Sequence, residues 1–182
     1  ASGTMPGFVE PQLCRSLDRA PAGEGWVHEI KFDGYRVQLR VEGGAATLKT
    51  RRGLDWSARF PEIAEAAAAL PDALIDGEIV ALDHNGSTDF GALQAALSDG
   101  TTADLVYFAF DLLFEGGEDR RPLPLRERKA RLEAMLRELP EPEAARIRYV
   151  EHFSEAGDAV LSSACKLKLE GIVSKRLDAP YR

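Results

Sequence analysis

The sequence predicts an α+β fold. Strand-like stretches come in adjacent groups, helical stretches separate those groups at irregular intervals, and the regular βαβ alternation of a doubly wound sheet is missing. No glycine-rich phosphate loop of the Walker or dinucleotide type is present, so a nucleotide would have to be held by strand-borne side chains. At 182 residues the chain can bury one core and needs no second domain.

Taken in order, Ala1 to Thr4 ahead of Met5 read as an appended remnant, leaving 5–182 as the domain. Trp26 to Lys31 alternates so that Val27, Glu29 and Lys31 share one strand face. Tyr35, Val37, Leu39 and Val41 form the apolar face of a next strand, with Arg36, Gln38 and Arg40 opposite, and the two strands read as a hairpin around Lys31. Glu42-Gly43-Gly44 turns the chain into a third strand over Thr47 to Thr50, in an antiparallel sheet. Pro61 opens a helix with Phe60, Ile63, Ala67 and Leu70 at helical spacing, and Pro71 stops it. A strand from Ala73 to Asp83 follows, then a turn at His84 to Ser87 and a short helix capped by Asp89 with Phe90, Leu93 and Leu97 inward. Leu105 to Leu113 is the most apolar strand. The helix from Leu125 to Leu139 buries Leu125, Leu132, Leu136 and Leu139. A strand at Ile147 to Val150, a helix from a Ser154 cap to about Lys168, and a strand at Gly171 to Arg176 complete the chain.

Composition removes several function classes. No apolar run approaches the ~20 residues of a membrane span and no cleavable signal pattern opens the chain, so the cytoplasm is the expected compartment, with no membrane partner. Cys14 and Cys165 lie far apart without ligand-spaced histidines, and are expected as free, mostly structural thiols. A net charge of −7 argues against wholesale wrapping of nucleic acid, so any such contact must be local. The basic stretch Arg126 to Arg137 is interrupted by Glu127 and Glu133 and reads as a solvated helix face.

The chemistry concentrates in four places. Lys31-Phe32-Asp33-Gly34-Tyr35-Arg36 sets an amine, a carboxylate and a guanidinium around one glycine at a strand end, where lowered basicity makes a lysine nucleophilic. Asp76-Gly77-Glu78 puts two carboxylates on one face of an apolar strand, so a cation is expected to meet Glu78. Phe108 and Phe110 alternate on the next strand, where one ring could stack on a purine or simply fill the core. Glu170 and Lys175 repeat the pairing of acid and lysine around the last strand. Their odd spacing requires a bulge, or a Glu170 that precedes the strand.

In this order the pieces resemble the covalent nucleotidyltransferase superfamily of ATP-dependent DNA ligases, RNA ligases and mRNA capping enzymes. Lys31-x-Asp33-Gly34-x-Arg36 looks like its motif I, Arg51 and Gly53 like motif Ia, Asp76-Gly77-Glu78 like motif III, Phe110-Asp111 like motif IIIa, and Glu170-Gly171 with Lys175 like motif IV. The wording around these motifs is most similar to the ligase domain of the bacterial end-joining ligase D family. The resemblance implies a nucleotidyltransferase (adenylation) domain of antiparallel sheets flanked by helices. It also implies that the sequence ends before the lysine pair of motif V, with the family's OB-type domain absent.

The same resemblance implies roles. Lys31 would attack the α-phosphate of ATP and hold AMP as a phosphoramidate, for transfer to a 5′-phosphate in nicked or broken duplex DNA. Glu29 would accept a hydrogen bond from the adenine amine, with Ile30 beside it, and Phe110 would stack on the base. Arg36, Arg51, Glu78 and Lys175 would hold ribose or phosphate oxygens, and Asp33, Glu78 and Glu170 would surround Mg²⁺ or Mn²⁺. Expected partners are ATP, DNA, the OB-type domain, end-joining proteins and fused polymerase or nuclease domains. The alternatives are a capping or RNA ligase-type transferase, which GTP preference would reveal in the capping case, and a nucleotide- or DNA-binding module without chemistry.

Overall fold

A computed structural model describes residues 3–166 and 170–182. Six strands form the main sheet in the order β3-β2-β4-β5-β6, with β7 also against β5. They are β2 (Tyr35–Glu42), β3 (Ala45–Thr50), β4 (Ala73–Val80), β5 (Val106–Glu115), β6 (Glu118–Asp119) and β7 (Ile147–Tyr149). Strands β1 (Trp26–Lys31) and β8 (Gly171–Arg176) form a separate antiparallel pair. The helices are α1 (Pro61–Ala67), α2 (Phe90–Asp99), α3 (Leu125–Arg137), α4 (Glu143–Arg146) and α5 (Gly157–Lys166). This is the mixed, largely antiparallel architecture expected from the sequence. None of the described helices is long and apolar enough to cross a membrane.

Local chemistry explains most element bounds. Gly43 and Gly44, both at positive φ, make the two-residue turn that joins β2 to β3. Pro61 sits in the first turn of α1. Asp89 caps α2 by accepting the Ala92 N–H at 2.9 Å, and Gly100 ends it in the left-handed conformation. The free N–H groups of Leu125 and Arg126 at the start of α3 donate to the Ala179 and Leu177 carbonyls, so the C-terminal segment docks on that helix end.

One face of the main sheet builds the core. Val37, Leu39, Val41, Ile75, Ile79, Tyr107, Ala109 and Leu112 pack with Ile63 and Ala67 of α1, Leu93 of α2 and Leu132 and Leu136 of α3. The other face carries Arg36, Gln38 and Asp76. An N-terminal strap crosses it, where the Val9 N–H donates to Gln38 Oε1 and Arg40 Nε donates to the Pro6 carbonyl, each at 3.0 Å. Met5, Leu74, Leu113, Phe114 and Tyr181 close a smaller apolar cluster.

Several expectations need correction. Strands β1 and β2 are not a hairpin: β1 pairs with β8, with Lys31 opposite Gly171, a long-range ladder that local alternation cannot reveal. The β7 strand runs parallel to β5, so the sheet is not wholly antiparallel. β4 stops at Val80, because Asp83 turns back to accept the Asn85 and Ser87 N–H groups at 2.8 and 2.9 Å. α5 begins at Gly157, so Ser154 does not cap it, and its expected end at Lys168 lies outside the described residues. Cys14 and Cys165 are free but exposed, so neither is a packing residue. Arg128 and Lys129 are buried rather than solvated.

Candidate active site

Lys31 ends β1 and pairs across the ladder with Gly171, which places it beside Glu170. The Lys31 Nζ donates to Glu170 Oε1, and both side chains remain accessible, at 47% and 39%. Glu170 precedes β8, which resolves its odd spacing from Lys175 without a bulge. Gly34 lets the following turn close on β4: a Cβ there would lie 2.1 Å from the Ile79 carbonyl oxygen.

Glu29 shares the Lys31 face but is buried at 2% exposure. Lys175 donates to its Oε1 at 2.8 Å and lies 2.7 Å from Oε2, while Lys129 of α3 donates to Oε1 at 3.3 Å. The Oε2 atom is an ion contact for Lys175 but lacks an aligned hydrogen bond among the described residues. The Lys175 ammonium also stands 4.5 Å from the Phe110 ring centroid, and the Arg36 guanidinium 5.3 Å from it. Phe110 occupies the position skipped between Asp76↔Asp111 and Gly77↔Ala109, a bulge in the β4–β5 pairing. Phe108 is committed elsewhere, stacked on Phe32 with centroids 4.2 Å apart.

The cation expected at Glu78 is found two residues upstream. Arg36 grips buried Asp76 with Nε–Oδ1 3.1 Å and Nη2–Oδ2 2.7 Å, and Tyr181 Oη donates to the same Oδ2 at 2.6 Å. Arg36 and Glu78 face each other in the β2–β4 register, yet the guanidinium forks toward the fully buried carboxylate, whose unpaired burial would cost more. Glu78 has no ion pair among the described residues. Burial pushes its carboxyl up to about 7, with Glu170 adding to the rise and Arg36 and Lys31 opposing it.

The other expected residues are placed less centrally. Ile30 turns its side chain to the opposite face from Glu29 and Lys31. His28 exchanges backbone hydrogen bonds with Phe153 instead of β8, and by strand alternation the Ile30 backbone points off the β8 ladder too. Arg51 is exposed in the turn after β3, with no hydrogen bond or ion pair to the cluster among the described residues. Asp33 donates its N–H to Thr88 Oγ1 at 3.3 Å. Asp33, Glu78 and Glu170 do not converge as a three-residue metal cluster among the described residues. Glu78 and Glu170 carry hard oxygen donors, the ligand type that Mg²⁺ or Mn²⁺ takes.

Sequence reasoning missed Lys129 and Tyr181. Lys129 could have been found, because it and Arg128 fall four and three residues after Leu125, within the buried stripe that continues at Leu132 and Leu136. Tyr181 carried no local signal, since its partner Asp76 is 105 residues away.

Comparison with known proteins identifies the family. The chain is 42% identical over 180 residues to the multifunctional non-homologous end joining protein LigD of Pseudomonas aeruginosa, covering 98% of this chain and 21% of that protein. It is 31% identical to the SPbeta prophage-derived DNA ligase-like protein LigB of Bacillus subtilis, over 96% of this chain and 63% of that one. The chain thus spans only part of each relative, about a fifth of the first. Its fold matches a mycobacterial DNA ligase D complexed with ATP and MES at a TM-score of 0.73 and 28% identity, over 86% of this chain and 50% of that one. Because the family model for the ATP dependent DNA ligase domain matches residues 11–182, which include both strands of the Lys31 ladder and every motif residue, the chain belongs to that family.

Proposed function

We propose that this chain is the adenylation domain of an ATP-dependent DNA ligase and that Lys31 is its nucleophile. The observation that carries the reading is a convergence at the β1–β8 pair, where Lys31 meets Glu170 and Glu29 meets Lys175, with Phe110 of β5 beside the Lys175 ammonium. Identity to an end-joining LigD and likeness to a ligase D bound to ATP support ATP as donor and a DNA 5′-phosphate in strand-break repair as acceptor.

The Lys31 Nζ forms a bond to the α-phosphorus as the bond to pyrophosphate breaks, leaving AMP on the lysine. Attack requires the free amine. Glu170 Oε1 already accepts a hydrogen bond from Nζ and is placed to receive its proton. Glu29 Oε2 accepts from the amine of the base, and Phe110 supplies an apolar ring face for stacking. Lys175, released from Glu29, and Arg36, pinned by Asp76, supply positive charge toward ribose and phosphate oxygens. Arg51 would contribute its charge from the exposed turn after β3. Glu78 and Glu170 are the oxygen donors that would hold a divalent cation, with Asp33 near enough in sequence to assist through water. Such a cation, when bound, neutralises charge building on the phosphates.

The test is incubation of the full-length protein with radiolabelled ATP and Mg²⁺. Wild type is expected to gain one AMP by intact mass, and Lys31→Ala none. Equal labelling of the variant would remove Lys31 from this role, and better labelling from GTP would favour a capping-type transferase.

A further inference from the structure

Lys129 lies outside every motif, yet it is 1% exposed and anchored on three sides. It donates to Glu29 Oε1 at 3.3 Å and to the Val150 carbonyl at 2.9 Å, and its ammonium stands 4.8 Å from the Tyr149 ring centroid. Lys175 of β8 reaches the same carboxylate with a side chain 20% exposed. Two ammonium groups therefore share one buried carboxylate, and they are not equivalent. One is built into a packed helix. The other can leave toward solvent or a ligand.

The charges decide what leaving costs. With Lys129 in place, departure of Lys175 leaves a neutral Glu29–Lys129 pair. Without it, departure would strand a buried, unpaired carboxylate, one of the most unfavourable arrangements in a protein interior. The two lysines also use the carboxylate differently. Lys129 takes Oε1 alone, whereas among the described residues Oε2 has only the misaligned Lys175 contact and is otherwise an unused buried acceptor. Burial lowers the Lys129 pKa while Glu29 opposes the fall.

We propose that Lys129 is a positioning residue for nucleotide capture: as the permanent counter-ion of Glu29 it fixes Oε1 and permits Lys175 to leave, freeing Oε2 for an amine donor on the base and Lys175 for the substrate's anionic oxygens. This rests on the reading of Glu29 as the base-contacting carboxylate. Lys129 itself does not touch the nucleotide. Its effect is carried by the charge and orientation of Glu29.

The experiment is a double-mutant cycle in the full-length protein, using Lys129→Met, Glu29→Gln and the double variant, with AMP transfer to Lys31 followed in single turnovers against ATP concentration. Lys129→Met is expected to raise the half-saturating ATP concentration about tenfold or more, with a much smaller change in the rate at saturation. The double variant is expected to bind ATP no worse than Glu29→Gln alone, because glutamine leaves no charge to strand. If the Lys129→Met loss multiplies onto the Glu29→Gln loss, or falls only on the saturated rate, Lys129 is a scaffold residue and the proposal is wrong. Should Lys129→Met fail to fold by circular dichroism, comparing the charge-neutral double variant with Glu29→Gln decides alone: equal half-saturation supports the proposal and a further tenfold loss overturns it. A wild type that takes up no AMP ends the ligase reading itself, at a step before the cycle begins.

Discussion

Arg36 pairs with Asp76, not with Glu78, although Glu78 is its partner across the β2–β4 ladder. The consequence is a division of labour between two carboxylates on one strand face. Asp76, completely buried, holds the guanidinium in a two-point grip and is itself held by Tyr181, whose hydroxyl also accepts the Gln12 N–H at 3.0 Å. Glu78 is left without an ion pair among the described residues. The Arg36–Asp76–Tyr181 chain also ties β2 and β4 to both terminal segments, so the contacts that hold Arg36 also close the fold.

Asp76→Asn is therefore expected to destabilise the chain by about 3 kcal/mol, because it leaves the part-buried Arg36 charge without a counter-ion. Tyr181→Phe, which removes one hydrogen bond and keeps the packing, is expected to cost about 1 kcal/mol. Urea unfolding of both variants measures the difference. Equal losses would show that Asp76 acts as a hydrogen-bond acceptor rather than as a charge.

Glu78 makes stability depend on pH. Its folded carboxyl titrates at about 7, above the ordinary value of 4.5, so the folded state holds a proton that the unfolded state has released between those values. Stability without metal is present in full below the unfolded pKa and falls as pH rises through about 7, by on the order of 2–3 kcal/mol from this group. Glu78→Gln is expected to flatten that decline. Thermal melts of wild type and variant between pH 5 and 8, about the window this titration spans, read it directly.

The glycines of the two central motifs are expected to tolerate no side chain. A Cβ on Gly34 would meet the Ile79 carbonyl at 2.1 Å, and one on Gly77 would meet the Phe108 carbonyl and the Tyr107 ring at 2.4 and 2.5 Å. Alanine at either position is expected to cost at least about 2 kcal/mol. Gly171, where a Cβ would touch nothing within 4 Å, is the control, with an expected change within about 0.5 kcal/mol. Comparable unfolding midpoints for all three would contradict the packing described here.

Chelation is expected to abolish AMP transfer to Lys31 and either Mg²⁺ or Mn²⁺ to restore it, since Glu78 and Glu170 offer two hard oxygen donors and the substrate phosphates the rest. Glu78→Ala should raise the Mg²⁺ concentration needed. An unchanged metal requirement in that variant would move the ion to Glu170 and Asp33.

The sequence by itself determined much of this protein. Alternation at Trp26–Lys31 and Tyr35–Glu42, the Gly43-Gly44 turn, the Asp89 cap and the leucine stripe of α3 are local patterns, and local patterns depend on backbone geometry within a few residues. The motif residues were legible for the same reason, each being a short string of fixed spacing. Tertiary structure alone decided which strand Lys31 lies against, which carboxylate Arg36 takes, and that Lys129 abandons solvent for Glu29. Those outcomes depend on pairs 40 to 146 residues apart, Arg36 with Asp76 and Glu29 with Lys175 at the two extremes. At such distances no spacing rule applies. What selects the partner is the cost of leaving a particular buried charge unpaired, and which charge is buried is known only once the sheets have closed.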